Sequence, residues 1–265
     1  MSTTETVREG SEIVDYTGFS VEYRDASHRY WLIQGEERTP AVSVTGVLRV
    51  LDKPAIVGWA EREGARGALT AERAGLLRAV TPEDSYKIME TLRANGLGAD
   101  AVKNAAADRG TAIHEALRLY CQQGTVPNAQ EFPEHVRGYV AGLCKWLVTA
   151  SPEPILTERV IGSPTYGFAG RFDLLATING ERVLADLKTS ARIYPEHSLQ
   201  MAGYELALLE CGESVDRSIV VAVGEDGSFN AADSVASTEQ FLAVLACQRA
   251  LSKVQAAVRR QEKAA

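Results

Sequence analysis

Apolar and polar residues alternate in two early runs, 19-FSVEYR-24 and 28-HRYWLI-33, giving each one face for a core and one for water. Asp25 to Ser27 joins them, so the pair predicts a β-hairpin, and the 15 residues at the start predict a frayed end. From about position 54 to 123 the spacing of apolar residues becomes helical. Pro54 and Pro82 sit where first-turn prolines belong, Asn95-Gly96 makes a stop, and 99–123 reads as one long Ala-rich helix ended by Gly124. Pro133 opens another helix that runs to about Ala150. After Pro154 the runs 155-ILTERVI-161, 169-AGRFDLLATI-178 and 181-ERVLADLK-188 predict strands, the last two joined by the hairpin turn Asn179-Gly180. A helix from Pro195 to about Glu210, a buried strand at 218-SIVVAVG-224 and an amphipathic helix over 238–260 complete the pattern. The order predicts an α/β sandwich around one mixed sheet with a helical N-terminal subdomain. It divides the chain into a disordered tail over 1–18, a hairpin and helical subdomain over 19–150, and a second part over 151–265.

Composition narrows what such a fold does. The 265 residues are 45% hydrophobic and 24% charged, enough apolar material for a substantial core. Uncharged apolar stretches such as 139-YVAGLC-144 and 218-SIVVAVG-224 fall far short of the roughly 20 residues of a membrane span. The start, MSTTETVREG, lacks the basic-then-apolar order of a secretory signal. These readings predict a cytoplasmic protein with no membrane partner. Net charge is -7, from 28 Lys+Arg and 35 Asp+Glu, which excludes coating of nucleic acid through bulk positive charge. A local basic face remains open at the C-terminal end, where Arg249, Lys253, Arg259, Arg260 and Lys263 face only Glu262; a solvated last helix is the plainer and preferred reading of it. Cys121, Cys144, Cys211 and Cys247 are too far apart for CxxC chemistry and read as reduced core residues. No repeat recurs along the chain.

The chemistry concentrates in 170-GRFDLLATINGERVLADLKTS-190. Alternation along a strand sends Asp186 and Lys188 to one side and Ala185 and Leu187 to the other. Asp173, on the strand paired through Asn179-Gly180, can face the same side as Asp186. Placing charges inside an apolar run such as 183-VLADL-187 is costly unless they are paired or hold a metal. Two adjacent carboxylates suit a hard cation such as Mg²⁺ or Mn²⁺. A nearby ammonium helps keep both ionised and can orient a water. A plain Asp-Lys ion pair at a strand end is the alternative reading of D-x-K alone.

Taken together, Gly170…Asp173, Asp186-Leu187-Lys188-Thr189 and Gln200-Met201-Ala202-Gly203-Tyr204 resemble the PD-(D/E)-x-K nuclease superfamily in its RecB-like form. Upstream, 109-RGTAIHEAL-117 resembles the helical histidine motif of that branch. The segment 42-VSVTGVLRVLDKPAIVGWA-60 is similar to the "SVT" segment of small phage and bacterial nucleases of this kind and of mitochondrial genome maintenance exonucleases. The matches run in order from about position 41 to 224. The resemblance implies a restriction-endonuclease-like core, a central mixed β-sheet flanked by helices. It implies that His114, Asp173, Asp186 and the backbone carbonyl of Leu187 ligate Mg²⁺ or Mn²⁺, and that Lys188 positions and activates water. Gln200 and Tyr204, one helical turn apart, would support the lysine and contact the DNA strand. Asp186 stands where many relatives have glutamate. Some relatives hold an iron–sulfur cluster through a close C-terminal cysteine group; that group is missing here, so no cluster is expected.

The implied activity is a metal-dependent DNA exonuclease leaving 5′-phosphate and 3′-hydroxyl ends, with DNA that is single-stranded or has a free end as partner. Phage or host recombination proteins would be further partners. A structure-specific endonuclease or a duplex recombination exonuclease of the same fold is the alternative within the class, and a non-catalytic DNA-binding module the alternative outside it. Each residue also has a plainer role open to it. His114 would otherwise be a core histidine, and Gln200 and Tyr204 packing residues. Glu158 would be a surface carboxylate or an aid to a second metal. Thr189 and Ser190 would end a strand, and Ser43 and Thr45 would cap a short helix. Tyr30, Trp31 and Trp59 are candidates to stack on bases, with Arg62 and Arg66 farther out, although core packing explains the aromatics too.

Overall fold

The computed structural model describes residues 5–8, 10–51, 54–78, 81, 83–190 and 192–264; Pro82 lies outside them. The chain opens with an antiparallel meander of β1 (Glu5–Arg8), β2 (Ser11–Tyr16), β3 (Phe19–Arg24), β4 (Arg29–Gln34) and β5 (Glu37–Ser43). The hairpin expected from the alternation is its β3–β4 pair. The expected disordered tail over 1–18 is corrected, because β2 lies along β3 with Val14 opposite Val21, both fully buried. Pairing a strand against the open edge of β3 satisfies backbone groups that a lone hairpin would leave to water.

Next come α1 (Val44–Val47), α2 (Pro54–Arg73), α3 (Ser85–Ala94), α4 (Ala99–Gln123) and α5 (Arg137–Ala150). Ser43 caps α1, its Oγ accepting from the Gly46 N–H at 2.9 Å, and Val44 and Val47 enter the core. The capping role read for Ser43 is therefore met. The remaining elements are β6 (Glu153–Thr157), β7 (Val160–Ser163), β8 (Phe168–Arg171), β9 (Leu174–Ile178), β10 (Glu181–Lys188), α6 (Pro195–Glu210), β11 (Arg217–Val223), β12 (Phe229–Asp233) and α7 (Thr238–Ala264). Asn179 and Gly180 have φ of 52° and 85°, the left-handed pair that a two-residue hairpin turn requires between β9 and β10.

The strands form two mixed sheets where the pattern predicted one. One runs in the order β1-β2-β3-β4-β5-β8-β7 and the other β12-β11-β10-β9-β6. Each has one parallel pair, β5 with β8 and β10 with β11, and is otherwise antiparallel. Two runs that read as single strands are each broken, at Glu158–Arg159 and at Phe172–Asp173, so that β6 and β9 lie in one sheet and β7 and β8 in the other. The breaks are bonded to each other: the Glu158 N–H donates to the Asp173 carbonyl at 2.9 Å, and the Phe172 N–H to the Arg159 carbonyl at 3.3 Å.

Residues 52–113 form one compact unit, and residues 1–51 with 114–265 form another. The expected boundary near 150 is thus replaced. The first unit holds α2, α3 and the early turns of α4; the second holds both sheets and His114. The main core of the second unit packs α1, α6 and α7 on the sheets through Phe168, Phe172, Leu184, Met201, Tyr204 and Phe241. Among the described residues one helix, Thr238–Lys263, is long and apolar enough by length and composition to cross a membrane, which the short stretches considered above did not reveal. Its residues Phe241 and Leu245 are buried in this core.

Helices α6 and α7 meet closely at Gly203, where an added Cβ would stand 2.7 Å from the fully buried Phe241 ring. Gly to Ala inside a helix ordinarily adds about 1 kcal/mol of stability. Here Gly203→Ala is expected to lower it by about 1–3 kcal/mol through overpacking, read by urea unfolding. A gain in stability would show that the two helices can part at this point.

Candidate active site

The predicted residues meet at the seam where the two strand runs change sheet. Strand β10 pairs with β9 up to Ala185 opposite Leu174, and one step further Asp186 comes level with Asp173 as β9 ends. There the backbone ladder gives way to a side chain: Asp173 Oδ2 accepts from the Leu187 N–H at 2.6 Å. The Asp173 carbonyl accepts from the Glu158 N–H at 2.9 Å and from Thr157 Oγ1 at 3.1 Å. Leu187 thus enters the site through its amide.

Asp186 and Lys188 lie on the face of β10 that α6 covers, with Leu184 of the core. Gln200 Nε2 donates to Asp186 Oδ1 at 3.1 Å and to Tyr204 Oη at 2.9 Å. Lys188 Nζ stands 2.6 Å from Asp186 Oδ2, a buried charge-assisted ion pair. Tyr204 lies against Gly170, where a Cβ would come 2.7 Å from its ring, which explains the glycine three residues before Asp173. His114, on α4, directs Nδ1 to Glu158 Oε1 at 3.0 Å, with Asp173 Oδ1 3.7 Å away. Glu158 reaches it from a left-handed backbone conformation, φ 45°, uncommon for a residue with a side chain.

The structure therefore brings together His114, Asp173, Asp186, Leu187, Lys188, Gln200 and Tyr204, and joins Glu158 to them. The amide of Leu187 and the hydroxyl of Thr157 escape a reading of side-chain motifs. Ser43, Thr45 and the aromatics go elsewhere. Tyr30 lies tilted against Tyr23 with ring centres 4.7 Å apart, Trp31 carries the guanidinium groups of Arg24 and Arg38 over its ring, and Trp59 belongs to the 52–113 unit.

Electrostatics sets the protonation of the group. Asp173 is 8% exposed and Asp186 2%. Burial and the Asp186 charge push the Asp173 carboxyl up to about 6 against the pull of His114, Lys188 and the Leu187 amide. Burial opposes charge on His114, yet Asp173, Glu158 and Asp186 outweigh it and hold the imidazolium up to about 9. Lys188 behaves likewise, burial pulling it down and the two aspartates raising it above its ordinary value. Glu158 is held below the usual range by its bond to His114. The Tyr204 hydroxyl, pushed up by burial, stays protonated.

Among the described residues, no three His, Cys, Asp or Glu groups already stand in a coordinating arrangement. His114 faces Glu158, and Asp173 Oδ2 and Asp186 Oδ1 are occupied by donors. The donor set nevertheless fits a hard divalent cation. Asp173 and Asp186 face one ammonium and one imidazolium, and Glu158 adds a third carboxylate on which Arg118 and Arg171 also act. The buried Asp186 Oδ2 is met by the Lys188 ammonium alone, and a carboxylate oxygen can accept in more than one direction; carboxylate oxygens with one imidazole suit Mg²⁺ or Mn²⁺. No protein-family model matches the chain, and no curated protein is significantly similar to it.

The shifts of His114 and Asp173 have one sign for stability. Each native group holds its proton more tightly than the unfolded chain does. The His114 contribution is complete below about 6.5 and disappears as pH rises through about 9; that of Asp173 falls between about 4 and 6. Metal-free protein is expected to lose stability from pH 6.5 to 9.5, and His114→Gln to remove that loss. The difference should be on the order of 1 kcal/mol, since the imidazole is one third exposed and solvent screens it. Parallel stability profiles for the two proteins would show that the imidazole carries no special charge.

Proposed function

We propose that the chain is a divalent-metal-dependent deoxyribonuclease with a restriction-endonuclease-like core, acting as an exonuclease from DNA ends. The observation that carries this reading is the joint placement of buried Asp173 and Asp186, Lys188 at 2.6 Å from Asp186, and His114 beside Asp173. A single ion pair would need neither the second carboxylate nor the histidine. The resemblance in the order and type of these residues supports the nuclease class and its RecB-like branch.

His114, Asp173 and Asp186 would hold Mg²⁺ or Mn²⁺, with Glu158 within reach through His114. Bound there, a divalent cation supplies Lewis acidity toward a phosphoryl oxygen and makes water a nucleophile near neutral pH. The residues of the chain do the rest. Lys188 stays protonated and can donate to a water or a phosphate oxygen at the same spot. Asp186 fixes the ammonium, and Gln200 fixes Asp186 from above, so the donor is held in place before substrate arrives. Tyr204 keeps its proton and orients the Gln200 amide. Glu158 orients His114 and must give up that bond, or share it, when the imidazole turns to a cation.

End-labelled single- and double-stranded DNA with Mg²⁺ or Mn²⁺ tests the activity. Wild type is expected to cut, chelator to stop it without unfolding the protein, and Asp186→Asn to leave no measurable cleavage. Lys188→Met should lower the rate about 10²–10⁴-fold, the range of a positioned proton donor or acceptor. Near wild-type cleavage by either variant would overturn the site. Cutting of circular single strands as fast as linear ones would replace the exonuclease by an endonuclease.

Cation binding has its own signature. The His114 imidazole carries a proton at pH 7 and must lose it to become a ligand. Titration of metal-free protein with Mn²⁺ should release about one proton at pH 7, seen as a dependence of the heat on the ionisation enthalpy of the buffer. His114→Gln should abolish the release and weaken binding. Binding without proton release would remove His114 from the ligand set.

A further inference from the structure

The unit of residues 1–51 and 114–265 carries two adjoining open hollows of about 620 and 520 Å³ that share Val42, Gln248 and Ser252. They lie among β4, β5, the turn after α1 and the outer part of α7. No lining residue is Asp or Glu, in a chain where 35 of 265 residues are. Arg29 and Arg49 line one hollow, Arg249 and Lys253 the other. All four are exposed. Arg249 donates to the Tyr166 carbonyl. Among the described residues Arg29, Arg49 and Lys253 have no carboxylate partner, whereas Arg24, Arg38, Arg171, Arg182 and Arg217 of the same unit each have one.

Concave surface that gathers unpaired cations, in a protein of net charge -7, is where an anion gains most. The charges are divided two and two between the hollows, so one small anion cannot neutralise them all. Gln248 to Gln255 on α7 spans about 10 Å at 1.5 Å per residue. That length exceeds a single phosphate group and suits consecutive phosphates of one strand. Gln248 Nε2 donates to Ser252 Oγ at 2.9 Å, which leaves the Ser252 hydroxyl proton and the second amide hydrogen as neutral donors beside the cations.

We propose that this groove binds the phosphodiester backbone of a DNA strand, as a tract separate from the carboxylate pair. None of the candidate active-site side chains lines it. Ser43 and Gly46 form its rim on α1, while Val44 and Val47 of the same helix are turned into the core that holds Tyr204. The choice of DNA among chains of phosphates rests on the nuclease reading; the capacity for a phosphate chain rests on the groove alone.

The triple variant Arg29→Ala/Arg49→Ala/Lys253→Ala tests it, with circular dichroism to verify that these exposed changes leave the fold intact. Binding of a fluorescent 20-nucleotide single strand is followed by anisotropy in chelator, over a series of salt concentrations. The variant should bind at least tenfold more weakly, and its slope of log affinity against log salt should be shallower by about two, at about 0.7 per phosphate. Cleavage of a dinucleotide, whose one phosphodiester is the bond cut, should stay within twofold of wild type, while KM for long strands rises. Unchanged affinity and slope would overturn the proposal. So would loss of binding to anionic phospholipid vesicles with oligonucleotide binding intact. Groove-dependent binding by a wild type that cleaves no DNA with Mn²⁺ would uphold the groove and reject the nuclease reading.

Discussion

Two carboxylates buried side by side are the constraint on which this arrangement depends. Asp173 and Asp186 come level at the end of a strand pair, nearly out of reach of water, where like charges repel strongly. Taking an ion from water costs several kcal/mol even after relaxation, so each needs compensation from the protein. It arrives from three directions. Strand β10 contributes the Leu187 amide and the Lys188 ammonium, α6 contributes Gln200, and α4 contributes His114. No local segment could supply all of these. The helices must therefore dock correctly for the carboxylates to be tolerated, which ties the site to the packing of the second unit.

The same place is a corner of the fold. Two strand runs leave one sheet and enter the other at adjacent points, held by the paired bonds of Glu158 with Asp173 and Phe172 with Arg159. A left-handed backbone at a residue such as Glu158 costs of order 1–3 kcal/mol. What offsets it is visible: the Glu158 amide and the neighbouring Thr157 hydroxyl both bond the Asp173 carbonyl, and the Glu158 carboxylate bonds His114. The bend frees Asp173 from regular pairing, so that its carboxylate, instead of a backbone carbonyl, meets the Leu187 amide. A flat, continuous strand would have kept that amide in the ladder and left the carboxylate with one donor fewer.

Local rules carried far in the sequence because much of this chain is locally consistent. Asn179-Gly180 set the register that brings Asp173 toward Asp186, and period-two alternation sent Asp186 and Lys188 to one face. Gly124 and Asn95-Gly96 marked helix ends correctly, since a left-handed stop is a property of a few residues. What escaped is long-range. Alternation cannot say which sheet a strand joins, so 155-ILTERVI-161 and 169-AGRFDLLATI-178 each read as one strand although each is divided between two. Nothing in 11-SEIVDY-16 announces that β3 offers it an edge. His114 was grouped with the helices before it because it follows them in the chain, yet the division between units falls within α4, just before it.

Charge explains why the seam alone makes a poor phosphate site. Within the seam's own contacts Asp173, Asp186 and Glu158 outnumber Lys188 and His114, while Arg118 and Arg171 act only on Glu158 from farther out, so the buried pair is left without a surplus of positive charge. The imidazolium and the ammonium act there as internal counter-ions for the carboxylates, which is why both hold their protons above their ordinary values. His114 could offer a lone pair there only by giving up the proton that Asp173, Glu158 and Asp186 hold on it. Attraction over a longer range has to come from elsewhere in a chain of net charge -7. Screening limits that attraction to about 8–10 Å at physiological salt, so the distribution of cations over the surface matters more than their number. Arg24, Arg38, Arg171, Arg182 and Arg217 of the second unit are neutralised by carboxylates beside them. Arg29, Arg49 and Lys253 have no such neighbour among the described residues, and they line two adjoining hollows whose walls hold no Asp or Glu.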